Sequence, residues 1–361
     1  MSGAFARVVR PAILAAARSN RLRRSAEQLP VTRNVVRRFV PGETVEDAMS
    51  AVTEIRASGR LLSIDYLGED VTDVGSAEQT VTAYLRLLDE LADQPIAPDC
   101  VIRPLEVSLK LSALGQALPR DGDKIACANA YAICERASKA GVWVTLDAED
   151  HTTAESRMAI LHELRREFDW VGTVLQAYLK RTEADCRELA GSGARIRLCK
   201  GAYDEPSSVA YRSPREVNES YLRCLEILMA ATCYPMVASH DPGIISAAGH
   251  LAREFGLRAD QFEYQMLYGI SDAGQRRLNA EGNHVRVYVP FGTQWYGYFV
   301  RRLAERPANL TFFLRALAER RMRQPQAAGK AATGITTVPR QGPAEMSVCQ
   351  VPLSDPSGCG A

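Results

Sequence analysis

Between residues 61 and 290 the chain repeats one pattern eight times. A short run of aliphatic and β-branched residues is followed, in nearly every case, by a longer stretch with helical spacing. The runs are LLSIDY (61–66), LEVSLKL (105–111), VWVTLDA (142–148), TVLQAYL (173–179), RIRLCKG (195–201), PMVASH (235–240), QFEYQML (261–267) and HVRVYVP (284–290). The helix-like stretches cover 76–92, 122–140, 152–167, 182–190, 215–232, 243–255 and 272–280. This alternation predicts βαβ units and a parallel sheet. Eight repeats is the number that closes a TIM-type (β/α)8 barrel. The competing α/β arrangement is a doubly wound open sheet, which carries G-x-G-x-x-G after its first strand. The chain has no such motif: GSGARI (191–196) lacks the third glycine and precedes a strand, and no Walker A sequence is present. Thr152, Thr182, Ser213, Asp241 and Ser271 are placed to start helices, and Gly141, Gly191, Gly256 and Gly282 to end them.

A barrel of this kind takes about 250 residues, which leaves extensions in a chain of 361. Residues 1–58 are expected to form a helical arm, 59–321 the catalytic barrel, and 322–361, rich in Gln, Ala, Gly, Pro, Thr and Ser, a disordered tail. The first 40 residues hold nine Arg, no Lys and one acid, Glu27. That composition fits a transit peptide, or a basic amphipathic helix able to lie on an anionic membrane surface; the second reading is preferred. No apolar run approaches the ~20 residues that span a bilayer. A net charge of +1 provides no global field for nucleic acid. Nine scattered cysteines without a CxxC pair point to reduced thiols in a cytoplasmic setting. His240, His250 and His284 lack metal-ligand spacing, so no metal is expected.

The strand runs end in polar residues, where a barrel enzyme keeps its chemistry. Lys110 closes the second; Asp147, Glu149, Asp150 and His151 the third; Gln176, Tyr178, Lys180 and Arg181 the fourth. Arg197 and Lys200-Gly201-Ala202-Tyr203 close the fifth, and Ser239-His240-Asp241 the sixth. Glu263 and Gln265 lie in the seventh and Tyr288 in the eighth. Taken singly, each has a structural reading: Lys110 with Asp147 as an ion pair, Gln176 as a satisfied core amide, His240 as a helix cap, Cys199 as core. A barrel strand buried on both faces reads as a nearly continuous apolar run, so charges at these positions need partners or a ligand. Their density favours a site. Arg197 and Lys200 suit a phosphate-bearing cofactor or an electron-rich ring, and Gly201 and Ala202 permit close backbone approach.

Beyond the eighth strand lies VPFGTQWYGYFVRRLAERPAN. Adjacent Arg301 and Arg302 are able to share one carboxylate through forked hydrogen bonds, and Glu305 to take a cationic amine. Together they suit a small zwitterion such as an amino acid. From this segment alone a solvated helix face, with Arg301 and Glu305 as an ordinary i,i+4 pair, is an equal alternative.

The segments VSLKLSALG, VTLDAED, VLQAYLKRT, RLCKGAYDEP, VASHDP, FEYQMLYG and VRVYVPFG with WYGYFVRRLAERPAN resemble the proline dehydrogenase family. They occur in that family's order over roughly residues 30–320, and the DEP and SHDP continuations are closest to its short monofunctional bacterial members. The resemblance implies a distorted (β/α)8 barrel with a C-terminal helix over its mouth, holding non-covalent FAD. It implies oxidation of L-proline to 1-pyrroline-5-carboxylate, with electrons passed to a membrane quinone. It places Arg301 and Arg302 on the substrate carboxylate and Glu305 beside Arg302. Lys110 and Asp147 become a paired acid and base beside the substrate ring, with Tyr203, Leu267 and Tyr288 packed on it. Arg197 would sit near the reactive flavin nitrogen. Ala148, Gln176, the backbone of Cys199, Lys200, Gly201 and Ala202, then Ser239, His240 and Gln265 would complete the cofactor site. Cys199 stands where the family usually has Val and Ser239 where it has Thr, while Asp204 replaces an aromatic of the bifunctional enzymes.

Two other readings remain open at this point. One is a Schiff-base aldolase on the same barrel, using Lys110 or Lys200. The other is an inactive flavin-binding protein.

Overall fold

The computed structural model describes residues 36–96 and 101–305, with side chains to Arg302. The rest of the expected arm and the whole expected tail lie outside the described residues. Eight parallel strands close a barrel in the order β1 to β8: Leu61–Tyr66, Leu105–Leu109, Trp143–Leu146, Gly172–Gln176, Arg195–Cys199, Tyr234–Ala238, Glu263–Leu267 and Val285–Phe291. Ser63↔Tyr288 in the β1–β8 register closes the circle. The helices are α1 (Val45–Ala57), α2 (Val74–Ala92), α3 (Gly122–Ala140), α4 (Ala154–Arg165), α5 (Thr182–Leu189), α6 (Pro214–Met229), α7 (Pro242–Glu254), α8 (Asp272–Ala280) and α9 (Trp295–Glu305).

All eight expected strands form, but several are shorter than expected. β2 ends at Leu109 because Leu111–Leu114 coil into a 3-10 turn. β3 ends at Leu146. Lys110, Asp147, Lys200 and Ser239-His240 therefore stand just beyond the strands, on the rim. The helices follow local rules. Ser213 and Glu216 form a capping box with Pro214 at the first helical position of α6. Gly141 ends α3 in the left-handed region at φ +68°. Three expected caps do not bond as caps, although Thr182 and Ser271 stand at the starts of their helices. Asp150, not Thr152, accepts the first N–H, that of Thr152, at 2.9 Å. Thr182 turns its hydroxyl back to the Gln176 carbonyl at 2.6 Å. Ser271 is itself left-handed and makes no cap bond. Helix α5 ends at Leu189 with Ala190 as its cap, directly before Gly191 as expected, and the positive φ follows at Gly193.

The strands alternate, with an apolar exception on the inward side at Met236 of β6, which lies against Arg195 and Gln265. Leu62, Ile64, Val107, Val144, Leu146, Ile196, Val237, Met266, Val285 and Val287 join the shell of helices in one core. Their in-between neighbours turn into the barrel and are polar: Ser63, Asp65, Glu106, Ser108, Arg195, Arg197, Glu263, Gln265 and Arg286, all buried. The charges that needed partners or a ligand find partners within the protein: much of the barrel interior is filled by ions that neutralise one another.

Helix α1 packs on β8 and β1, with Ala48, Ala51, Val52 and Ile55 buried. It takes the place in the outer ring that the helix following β8 would fill in a regular barrel. Helix α9 lies at the mouth. Its Trp295, Tyr296, Tyr298, Phe299 and Val300 pack with Phe39 and Val40, and with Leu67 and Ile270 from the loops after β1 and β7.

Candidate active site

Eight ionised side chains meet inside and just above the barrel. The lower set is Glu106, Glu263, Arg195 and Arg286, with Arg195 stacked 3.8 Å from the Trp143 ring centroid. Arg286 forks onto Glu263 at 2.6 and 2.9 Å. Glu106 takes Arg195 on one oxygen and Arg197, at 2.6 Å, on the other. Those guanidiniums hold its carboxyl far below the usual range despite complete burial.

The upper set is Asp65, Lys110, Asp147 and Arg197, with Tyr288. Lys110 Nζ donates to both oxygens of Asp65, at 2.7 and 2.6 Å, and lies 3.7 Å from Asp147. Asp147 accepts from Arg197 Nη1 at 2.6 Å and from the Tyr288 hydroxyl at 2.7 Å. Burial disfavours the Lys110 ammonium, but the Asp65 and Asp147 carboxylates outweigh it and hold its pKa above the ordinary value. Burial raises Asp65 to about 6 even with Lys110 beside it. These two shifts pull in opposite directions; two contacts under 2.8 Å make the ion pair the better description.

Arg197 uses all five of its donors inside the barrel. Nε goes to Gln265, Nη1 to Ser108 (3.0 Å) and Asp147, and Nη2 to Ser63 (3.0 Å) and Glu106. Gln265 is equally committed, to Arg197, to Glu263 at 2.5 Å and to Met236 Sδ at 3.1 Å. Both sit beneath the rim.

The rim itself is where burial relents. Ala148, Cys199 to Tyr203, Ser239 to Asp241, Leu267 and Tyr288 are half-exposed above strands that are otherwise buried. Gln176 Nε2 donates to the Glu149 carbonyl at 2.7 Å. Lys200 pairs with Asp241 at 2.7 Å, and Asp241 also caps α7. Gly201 has φ +104°, and a Cβ there would come 2.2 Å from the Tyr178 ring. That glycine is required by its protein neighbour, whatever ligand approaches it. His240 Nε2 accepts the Leu267 N–H at 3.0 Å, which puts the imidazole proton on Nδ1. Asp241 caps α7, as its place before Pro242 predicts, and the alternative of His240 as the cap is not what forms.

Over this rim lies α9. Arg301 forks onto Glu69, in the segment after β1, at 3.0 and 2.5 Å, and its guanidinium lies 5.9 Å from the Tyr203 ring centroid. Arg302 is buried and stacks 4.9 Å from Tyr298. Both arginines thus leave the solvated-face reading behind. The Glu305 side chain lies outside the described residues. Sequence reasoning passed over Glu69, Asp65 and Glu106, and gave Glu149 no role. The signal available for Asp65 and Glu106 was their place in the inward half of the alternation. Burial raises the Glu149 carboxyl to about 7; it accepts Ser112 N at 3.0 Å and the Ser112 hydroxyl.

A family model described as proline dehydrogenase matches residues 48–315. Proline dehydrogenase 1 of Bacillus subtilis is 37% identical over 289 residues, 80% of this chain and 92% of the relative. Proline dehydrogenase of Deinococcus radiodurans is 37% identical over 286 residues, 79% of this chain and 90% of that one. The fold matches proline utilization A (PutA) from Bdellovibrio bacteriovorus, a structure inactivated by N-propargylglycine, with a TM-score of 0.69 and 24% identity over 75% of this chain. The chain spans about a third (32%) of that longer protein. An eight-stranded barrel with its polar rim under a paired-arginine helix, matched along most of its length by proteins of one activity, carries the conclusion that the chain belongs to the proline dehydrogenase family.

Proposed function

We propose that the chain oxidises L-proline to 1-pyrroline-5-carboxylate with non-covalent FAD at the barrel rim, and that a quinone then takes the electrons. The observation that carries this reading is the position of Arg301, beside Tyr203 and opposite Glu69, above the Lys110–Asp147–Tyr288 cluster. The fork is taken by Glu69, so a substrate carboxylate would be met by the remaining Arg301 N–H groups or in place of Glu69.

The donor set suits FAD. The half-exposed strip from Cys199 to Ala202, with Ala148, Ser239 and His240, gives a planar ring backbone to lie against. Lys200, a cation shared with Asp241, lies within the same strip. When bound, FAD accepts the hydride from the carbon beside the proline nitrogen. The chain's own residues supply position. Arg301 and Arg302 orient the carboxylate, and Tyr203, Leu267 and Tyr288 enclose the ring. Asp147 and Arg197 hold Tyr288 in place through its hydroxyl and its ring face. The amine must be neutral when hydride leaves. Each Asp147 oxygen accepts one hydrogen bond, from Arg197 or from Tyr288, and keeps a second lone pair on which a proton would be received. All five Arg197 donors are taken, so Arg197 would have to release a protein acceptor before donating to a flavin atom.

The aldolase reading loses ground on geometry. A Schiff base needs a neutral amine, and the Lys110 ammonium is bound by both oxygens of Asp65 and held protonated. Among the described residues no helix is long and apolar enough to cross a membrane. Peripheral contact through the basic arm, from a cytoplasmic location, accords with a quinone acceptor. The test is anaerobic: L-proline should bleach the protein's flavin spectrum, whereas pyrrolidine, which lacks the carboxylate, should not. A purified protein that binds no FAD, or a flavin that proline leaves oxidised, refutes the proposal.

A further inference from the structure

We propose that Glu205 is a positioning residue that preforms the cofactor rim by tying together the segments after β3, β4 and β5. This rests on the reading of that rim as the FAD site. Glu205 follows β5, and its side chain is only 4% exposed. One oxygen accepts the His151 backbone N–H at 2.9 Å and the Tyr178 hydroxyl at 3.3 Å. The other pairs with His151 Nδ1. The Glu205 carbonyl is itself held by Arg212, which also bonds Asp204 at 3.0 Å.

Each partner is anchored next to an expected cofactor contact. His151 lies three residues beyond Ala148, in the segment after β3. Tyr178 lies two residues beyond Gln176, after β4, and its N–H bonds the Lys200 carbonyl at 2.9 Å. Its ring covers Gly201 so closely that no Cβ fits there. One carboxylate therefore sets the relative positions of Ala148, Gln176 and the Lys200–Ala202 strip. A carboxylate this deeply buried is costly unless its partners are charged or donate hydrogen bonds; here every partner sits on a different strand-end segment or on its own. A rim held in this way meets its ligand without first being ordered, and preorganisation of that kind chiefly slows dissociation.

The test is the rate at which FAD leaves the holoprotein on dilution, followed by the rise in free-flavin fluorescence. Glu205→Ala should accelerate release at least about tenfold, the scale of one lost charge-assisted hydrogen bond. Glu205→Gln keeps an acceptor for His151 N–H and Tyr178, and should restore most of the retention. Tyr178→Phe keeps the ring over Gly201 and should accelerate release severalfold. If Tyr178 acts through Glu205, the pair Glu205→Ala with Tyr178→Phe releases FAD no faster than Glu205→Ala alone. Additive effects, unchanged release in folded Glu205→Ala, or unchanged release in Tyr178→Phe overturns the proposal; Tyr178→Phe decides the matter if Glu205→Ala does not fold. A wild-type protein that holds no FAD overturns the cofactor reading as well, whereas tight wild-type binding with indifferent variants overturns this inference alone.

Discussion

Replacing Glu106 by glutamine changes little in shape and removes one charge from the barrel interior. That interior is balanced: Lys110, Arg195, Arg197 and Arg286 against Asp65, Glu106, Asp147 and Glu263, each at most 8% exposed. Glu106 is the hub, with one oxygen on each of Arg195 and Arg197. Each contact carries roughly 4 kcal/mol of Coulomb attraction at an effective dielectric of about 20, much of it offset by the desolvation of three ions. Arginine cannot shed its proton to relieve the imbalance. Breaking a buried pair from one side costs about 3–5 kcal/mol, a fall in Tm on the order of 10 °C. The assay is urea unfolding of Glu106→Gln and of Glu106→Gln/Arg195→Met, which restores three charges against three. The double variant should recover most of the loss. The Glu106 carboxyl is depressed in the folded state, so its stabilisation is complete above the ordinary carboxylate range and fades only below it. The penalty should accordingly stay constant from pH 5 to 8. A double variant no more stable than the single, or a penalty that changes across that window, would refute the charge-balance argument.

Four further outcomes are expected. Arg302→Met should raise the proline KM about 10–100-fold, the weight of one charged hydrogen bond; unchanged affinity would remove Arg302 from the carboxylate clamp. Gly201→Ala should lower the FAD-to-protein ratio of the purified protein, because φ +104° and the Tyr178 ring both oppose a Cβ; full flavin content would show that the Tyr178 packing yields. Burial raises Glu149 to about 7, so its stabilisation is whole below the ordinary carboxylate range and is lost as pH rises through 7. Glu149→Gln should therefore gain up to about 3 kcal/mol relative to the parent between pH 5 and 8, read by denaturant unfolding at both pH values; a gain that ignores pH would mean Glu149 does not titrate there. Borohydride with a carbonyl substrate should leave the protein unlabelled, and a covalent adduct on Lys110 or Lys200 would revive the aldolase reading.

Much of this molecule was legible along the chain, because the signals involved are local. Period-two runs such as LLSIDY, capping boxes such as Ser213 with Glu216, and Gly141 at a helix end each depend on residues a few positions apart. Eight such units leave few closed topologies, so the barrel and its polar rim followed. Where charges end up is a different matter. Arg197 read as a cofactor contact because its density of polar neighbours pointed to a ligand; in the barrel its donors are consumed by Ser63, Glu106, Ser108, Asp147 and Gln265, residues 50 to 134 positions away. From its own segment Arg301 read evenly as clamp or surface, and nothing near it in sequence pointed to Glu69, 232 positions earlier, which meets it across the mouth. Helix α1 fills the outer slot beside β8 and β1, while α9 lies at the mouth against Phe39, Leu67 and Ile270. Local periodicity determines which face of a strand is polar. Only closure of the barrel decides which charge neutralises which, since that depends on distances between strands that one-dimensional order does not contain.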